Sequence, residues 1–522
     1  MTTPQAQQRK HIETGVYPPA TYVLYDDLHV RQKTRVRRTI GTVKKVNKQI
    51  LRPDKPWEGM FVWSHSGLIY DHDEYLFKYW YHCHDPGLTR RHPAVNWDSS
   101  PAYAVSHDCV HWHKPELGIV SRCGSKRNNL VKFPPYGGAG PLTAVFKNPV
   151  AKGMHDRYVA MGMARMRTPR GEKPNYWMSD GNFHNRKMKR DAIAITCGFY
   201  VYHSADGYVW RRHGKMSLSN SHVTDNAFTH GYDHDLKKWI IFAQARTAKK
   251  FRTMGVSFCE DLSYIPFPQE VLTPDELDPP DCQFNHMVAQ KVPGGYAGLI
   301  VDFRPHEGCK KEPQFTFSRD ARSWSRPAGR EPFIAAGPQG AWDEMNVFVH
   351  NPVQVGDTVY ISYHGSVTGN GSFFPVTRRG RTRYTKVGGW GTPLPDGRMN
   401  LPGIGLATLP RDRWAGFEPT GRTGELHTKG MYWAGRQLRV NADASDGRLR
   451  AELRDIEGRA IPGFTLAESD PLTRSSLNHT MTWQGKRMLP VKMVGARHQG
   501  TVGRMMSIRF HLDRAKLFTF TC

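Results

Sequence analysis

Three carboxylates stand where loops give way to predicted strands: Glu58 in PWEG, Asp225 in VTDNAF and Glu344 in AWDEMNVFVHNP. Carboxyl groups flanking one bond can divide the work of protonating a leaving oxygen and attacking, or activating water. Three histidines occupy comparable places, His65 in WSHSG, His286 in FNHMV and His350 in FVHNP. Imidazoles brought to one point could bind hydroxyls, hold a metal or move protons. Arg246 in AQAR and Arg304 in VDFR end two strand pairs. A guanidinium fork there suits a carboxylate or sulfate, and an ion pair with Asp302 is the alternative for Arg304. Trp57, Trp63 and Trp342 lie near the same strand ends, with faces fit for stacking on a ring or for core packing.

Such residues meet only if a repeated element delivers them, and the sequence contains one. SHDCVHW (Ser106, Asp108, Trp112) recurs as SADGYVW (Ser204, Asp206, Trp210) and SRDARSW (Ser318, Asp320, Trp324), with weaker copies at Ser257–Ile265 and Thr408–Phe417. The unit reads as a hairpin turn: a strand ends at Ser, Asp caps backbone N–H groups, and the aromatic residue packs back on the sheet. A strand pair precedes each copy, as in GLIYDHDEYLFKYWYH and NAFTHGYDHDLKKWIIFAQAR. Five inner pairs and five outer hairpins make five four-stranded blades, so the fold class is all-β, a five-bladed β-propeller over residues 25–417. Residues 1–24 form an N-terminal extension. From 418 to 522 the alternation in LRVNADAS, LRAELRD and MSIRFHL, broken by Gly, Asp and Asn turns, predicts a β-sandwich. Two long basic connections, after Ala164 and after Gly369, exceed what a compact domain needs for turning.

Composition agrees with many short strands: of 522 residues 39% are hydrophobic and 11% aromatic, and 49 Gly with 36 Pro supply turns. Eight scattered cysteines without a C-x-x-C pair read as reduced thiols rather than a zinc ribbon or disulfide framework. The N-terminus MTTPQAQQRKHIETG lacks an apolar run, and no stretch reaches the roughly 18 apolar residues of a membrane span, so a soluble cytoplasmic protein with no membrane partner is expected. A net charge of +26 draws in polyanions, although basic side chains also keep a surface soluble. No nucleic-acid-binding motif accompanies it, so no nucleic-acid partner is expected. No metal-ligand spacing is present, and no cofactor is expected.

The PWEG entry, the HWHKPELGIVSRCGSKRNN stretch and the C-terminal LRVNADASDGRLRAELRDIEGRAIPGF resemble the five-bladed glycoside hydrolase superfamily. That superfamily includes the family 32 fructosidases and the family 43 arabinosidases and xylosidases; the chain is most similar to a poorly characterised bacterial group with a C-terminal β-sandwich. The resemblance implies catalytic carboxylates on the innermost strands of the first three blades. At the first of these this chain has Ser64 and His65, with Glu58 nearby, and at the second it has Asn148, which cannot ionise. Asp225, followed by Asn226, opens the third.

The resemblance therefore implies a glycoside hydrolase acting on an oligo- or polysaccharide, an acidic or otherwise unusual glycan. Asp225, Glu344, Glu58 and His286 are then catalytic candidates. His65, Arg246, Arg304, His350, Asn148, Asn226, Trp57 and Trp342 are candidates for binding substrate. The missing acids and the histidines leave two alternatives: a lyase that eliminates across a uronate, and a glycan-binding propeller without chemistry. The oligomeric state is not legible.

Overall fold

The computed structural model describes residues 19–65, 67–85, 99–134, 142–167, 176–178, 193–219, 227–246, 251–370, 372–378, 380–433, 436–489 and 505–522. The chain is all-β, with three short 3-10 turns and no α-helix among the described residues.

Five antiparallel sheets follow one another along the chain. The first holds Val62–Trp63, Leu68–Asp71, Leu76–His84 and Ser99–Ser106. The second is built on Leu142–Lys147, Tyr158–Arg167, Ile193–Ser204 and Arg211–Ser219. The third holds Ala227–Asp233, Lys238–Arg246, Arg252–Cys259 and Gln269–Leu272. The fourth holds Gln283–Val292, Gly295–Phe303, Pro313–Ser318 and Trp324–Ser325. In the fifth, Asn346–Val349, Thr358–Ser366 and Gly403–Pro410 are joined by Lys44–Leu51 from near the start of the chain.

The strands form because their apolar residues are covered on both faces, which turns alternation into continuous runs such as GYAGLIVDF of Gly295–Phe303, wholly buried. Apolar clusters fill every seam. Trp80, Tyr103, Tyr158 and Trp210 pack between the first and second sheets, and Tyr81, Val62, Ile404 and Leu406 between the first and the fifth, so the packing returns to its start. Each such buried side chain contributes about 1.5–3 kcal/mol relative to leaving it in water.

The repeated turns follow the strands that end at Ser106, Ser204 and Ser318, with the bonds their sequence implies. Ser204 Oγ donates to Asp206 at 2.9 Å, the N–H groups of Tyr208 and Val209 donate to the same carboxylate at 2.7 and 2.9 Å, and Trp210 Nε1 donates to Gly207 O at 2.9 Å. The copies at Ser106 and Ser318 repeat these bonds. The residue after each Asp takes the left-handed conformation, with φ of 63° at Cys109, 80° at Gly207 and 59° at Ala321.

Two further sheets share one core that includes Trp433, Trp483, Phe510 and Phe520. One contains Val36–Ile40, Ala415–Pro419, Arg439–Asp443, Ser475–Thr480 and Lys516–Thr521, with Thr21–Val23 added at Lys516–Thr521; the other contains Val30–Thr34, Thr423–Thr428, Arg448–Arg454 and Ser507–Asp513. Residues 21–40, divided by the sequence reading between an extension and the larger unit, thus hydrogen-bond to C-terminal strands. Nothing local in VRQKT or VRRTI reveals partners nearly 400 residues away. Across one such strand pair Arg37 Nε donates to the Glu418 carboxylate at 3.1 Å.

Candidate active site

The antiparallel registers set Val62 opposite Cys83, Gln283 opposite Phe303 and Asn346 opposite Ser366, so the starts of first strands and the ends of second strands share one end of each sheet. Five histidines gather at this end: His65, His82, His286, His350 and His364. Their rings pack with aromatic neighbours. Trp63 stacks on His82 at 4.8 Å and meets His65 edge-on at 4.9 Å; Phe348 stacks on His286 at 3.6 Å and meets His65 at 5.2 Å; Trp390 lies 5.1 Å from His364 and 5.9 Å from Trp63.

Several of these imidazoles also staple one sheet to the next. His82 Nε2 accepts the N–H of Leu142 at 3.1 Å, joining the first sheet to the second. His286 Nε2 donates to Val349 O at 2.7 Å, joining the fourth to the fifth, and His350 Nε2 donates to Ser64 O at 3.0 Å, joining the fifth to the first. These bonds set the tautomers: His82 carries its proton on Nδ1, His286 and His350 on Nε2. His350 Nδ1 also lies 2.9 Å from Tyr79 Oη and 3.0 Å from Ser362 Oγ.

Burial lowers the pKa of His82, His350 and His364 to about 3, and with mutual repulsion it holds His65 and His286 well below the usual value. The cluster is therefore neutral near pH 7. Lys311 brings positive charge to its edge, with Nζ 5.3 Å from the Phe348 ring and 3.3 Å from Asn370 Oδ1. Among the described residues, no group of three or more His, Cys, Asp or Glu side chains is placed to hold a metal.

The expected site residues divide. His65, His286 and His350 come together. Glu58 does not join them: it is fully buried, accepts the N–H groups of Asp54 and Lys55 at 3.0 and 3.1 Å and the Tyr81 hydroxyl at 2.5 Å, and pairs with Lys114 at 2.7 Å. Glu344 accepts the Gly340 N–H and pairs with Arg398 at 2.9 Å, while Asp343 beside it binds Tyr363 and Lys45. Arg304 is held by Asp302, Glu307 and Glu312. Burial raises Asp302 to about 6 against the pull of Arg304.

Asn148 corrects an expectation. It follows the far end of Leu142–Lys147, where its side chain closes a turn with Asp156 O at 3.0 Å and the Val150 N–H at 3.2 Å. The His82 contact is at the opposite end of that strand, six residues or about 20 Å away. Trp57 likewise turns away, donating to Asn129 Oδ1 at 2.7 Å, and Trp342 stacks on Tyr363 at 5.7 Å. Asp225 and Asn226 lie outside the described residues, as does the side chain of Arg246.

No protein-family model and no curated protein matches the chain. Among solved structures it is similar to a family 32 β-fructofuranosidase from Bombyx mori, at 10% identity over 99% of this chain and 98% of that one, with a TM-score of 0.38. It is similar to an α-L-arabinofuranosidase from Podospora anserina, at 10% identity over 71% and 96% of the two chains, with a TM-score of 0.41. It is also similar to a β-1,2-mannobiose phosphorylase from Listeria innocua, at 11% identity over 76% and 97%, with a TM-score of 0.36. These values are low, and the chemistry of the site rests on this chain's own side chains.

His82, His364 and Trp390 were not among the expected residues. Register would have found the first two: His82 pairs with Trp63 and His364 with Phe348, each on the second strand opposite a first-strand aromatic. Trp390 had a weaker signal, its place in the long basic connection after Gly369.

Proposed function

We propose that the chain is a carbohydrate-active enzyme, a five-bladed β-propeller followed by a β-sandwich, that cleaves a glycosidic bond of an oligo- or polysaccharide at the histidine-lined end of the ring. The cluster itself carries this reading. Trp390 and His65 are partly exposed, with Trp63, Phe348 and His364 buried behind them. An aromatic face beside neutral imidazoles suits a sugar, whose C–H face stacks while its hydroxyls bond to groups that need no counter-charge.

In this reading Asp225, two residues before Ala227–Asp233, is the principal carboxylate, acting as acid, base or nucleophile. Glu344, paired with Arg398 at 2.9 Å, is the candidate for the second carboxylate. Glu58 serves structure. One observation favours elimination as a second reading: Lys311 stands at the edge of the cluster, Nζ 5.3 Å from the Phe348 ring, where it could neutralise a uronate carboxylate.

A panel of neutral, uronate-bearing and sulfated glycans tests these readings, with products examined by mass and by absorbance. Fragments that have gained water support hydrolysis, and unsaturated fragments absorbing near about 235 nm support elimination. Tight binding without turnover by wild type and Asp225→Asn alike would mean a binding propeller. Neither binding nor turnover across the panel would sink the proposal.

A further inference from the structure

The connection between the second and third strands of the fifth sheet carries its own two-stranded hairpin, Phe373–Arg378 paired with Arg381–Lys386. Its base is fixed. Phe374 is buried with Val367 and Leu394, Val387 N–H donates to Ser372 O at 2.9 Å, and the Tyr384 ring lies against Gly308, where an added Cβ would come within 2.2 Å of it.

Its sequence is basic. From Val367 to Pro395 there are five Lys or Arg residues (Arg378, Arg379, Arg381, Arg383, Lys386) and no Asp or Glu. Arg381, Arg383 and Lys386 are exposed, and no acid pairs with them among the described residues. Arg398, a few residues on, is by contrast held by Asp396 and Glu344. The backbone register sets Arg378 opposite Arg381. Arg381 and Arg383, two apart on one strand, share a face at a spacing of about 7 Å. Four residues after Lys386 the same connection delivers Trp390 to the histidine cluster, 5.1 Å from His364.

We propose that this hairpin is a recognition arm that holds a polyanionic glycan, one bearing sulfate or uronate groups, so that a neighbouring sugar unit reaches Trp390 and the histidines. The inference rests on the carbohydrate reading above and adds the substrate class. Guanidinium forks on one face match successive anionic groups along a chain, and exposed cations that no acid pairs with among the described residues raise the encounter rate of such a polymer. The arm binds and orients; cleavage takes place at the histidine-lined end beside its foot.

The test uses the full chain, with calorimetric titration at low and high salt against four probes: a heparin-type sulfated oligosaccharide, an oligogalacturonate, a neutral xylo-oligosaccharide and a single-stranded oligodeoxynucleotide. The expected result is salt-sensitive binding of one or both anionic glycans, weakened about tenfold in R381S/R383S and about threefold in K386S. Binding of any neutral glycan and the melting temperature should be unchanged. The arm is refuted if both variants bind the anionic glycans as wild type does, or if the oligodeoxynucleotide binds more tightly than either. Binding and cleavage of neutral glycans alone removes the arm and leaves the carbohydrate reading standing. Failure to bind any glycan removes both.

Discussion

Asp71 on the first sheet lies 2.7 Å from Lys147 on the second, and Asp233 on the third lies 2.7 Å from Lys291 on the fourth. Both aspartates belong to a YDHD turn, and each also accepts the hydroxyl of a tyrosine in the next sheet, Tyr158 at 3.0 Å and Tyr296 at 2.5 Å. One sequence motif thus makes the same clamp twice. Asp71 additionally pairs with buried Lys78 at 2.9 Å. Asp71→Ala should cost about 3 kcal/mol in urea unfolding, because it leaves that ammonium with Glu74 and the Tyr158 hydroxyl as its remaining partners. Tyr158→Phe should cost about 1 kcal/mol, the net value of one hydrogen bond.

Acid should unfold the protein in two windows. His82, His350 and His364 are neutral in the fold, with pKa values lowered from 6.5 to about 3 mainly by burial. The unfolded chain binds more protons between those values, so their contribution, fully present above pH 6.5, is lost as pH falls towards 3. Each should contribute a slope of up to about 1.4 kcal/mol per pH unit. Asp233 follows at lower pH. Burial opposes its ionisation, but Lys291 and Tyr296 outweigh that and lower it from 3.8 to about 2, so its contribution is lost between those values. Melting temperatures from pH 7 to 3 should fall less steeply for His350→Gln than for wild type; equal slopes would contradict the assignment.

Two carboxylates that look equivalent in sequence should behave oppositely. Glu58→Gln leaves the buried Lys114 ammonium with Asp54 and the Arg52 carbonyl as its remaining partners and should cost about 3 kcal/mol of stability. Its turnover per folded molecule should survive. Asp225→Asn should abolish turnover on any cleaved glycan with the melting temperature unchanged. Activity assays normalised to folded fraction distinguish the two, and a fully active Asp225→Asn would remove that residue from the mechanism.

The strand pairs and their Ser-Asp turns were legible because they are local: alternation, turn chemistry and a repeated spacing all lie within about twenty residues. The meeting of His65, His286 and His350 was legible for a derived reason, since equivalent strand starts converge once the repeat is known. What failed was long-range or depended on register. Asn148 stands by resemblance at the acid position of an innermost strand, but that strand runs Leu142–Lys147, so Asn148 falls in the closing turn beyond it. His82 and His364 reach the cluster only through cross-strand pairing, and the N-terminal strands choose C-terminal partners for reasons no local pattern carries.

The recurrent turn makes the last prediction. Asp206 accepts two backbone N–H groups and a serine hydroxyl in a turn whose next residue, Gly207, sits at φ 80°. Asp206→Ala leaves those N–H groups to water and should cost about 1–2 kcal/mol, as loss of a comparable cap does at a helix start. Asp108 and Asp320 hold equivalent turns on other sheets, so the three substitutions are far apart and should add to within about 0.5 kcal/mol. Urea titration of the single and triple variants checks this. A triple variant losing much less than the sum would mean that the turns relax together, and one that also loses glycan binding would mean that they position the site rather than only close their sheets.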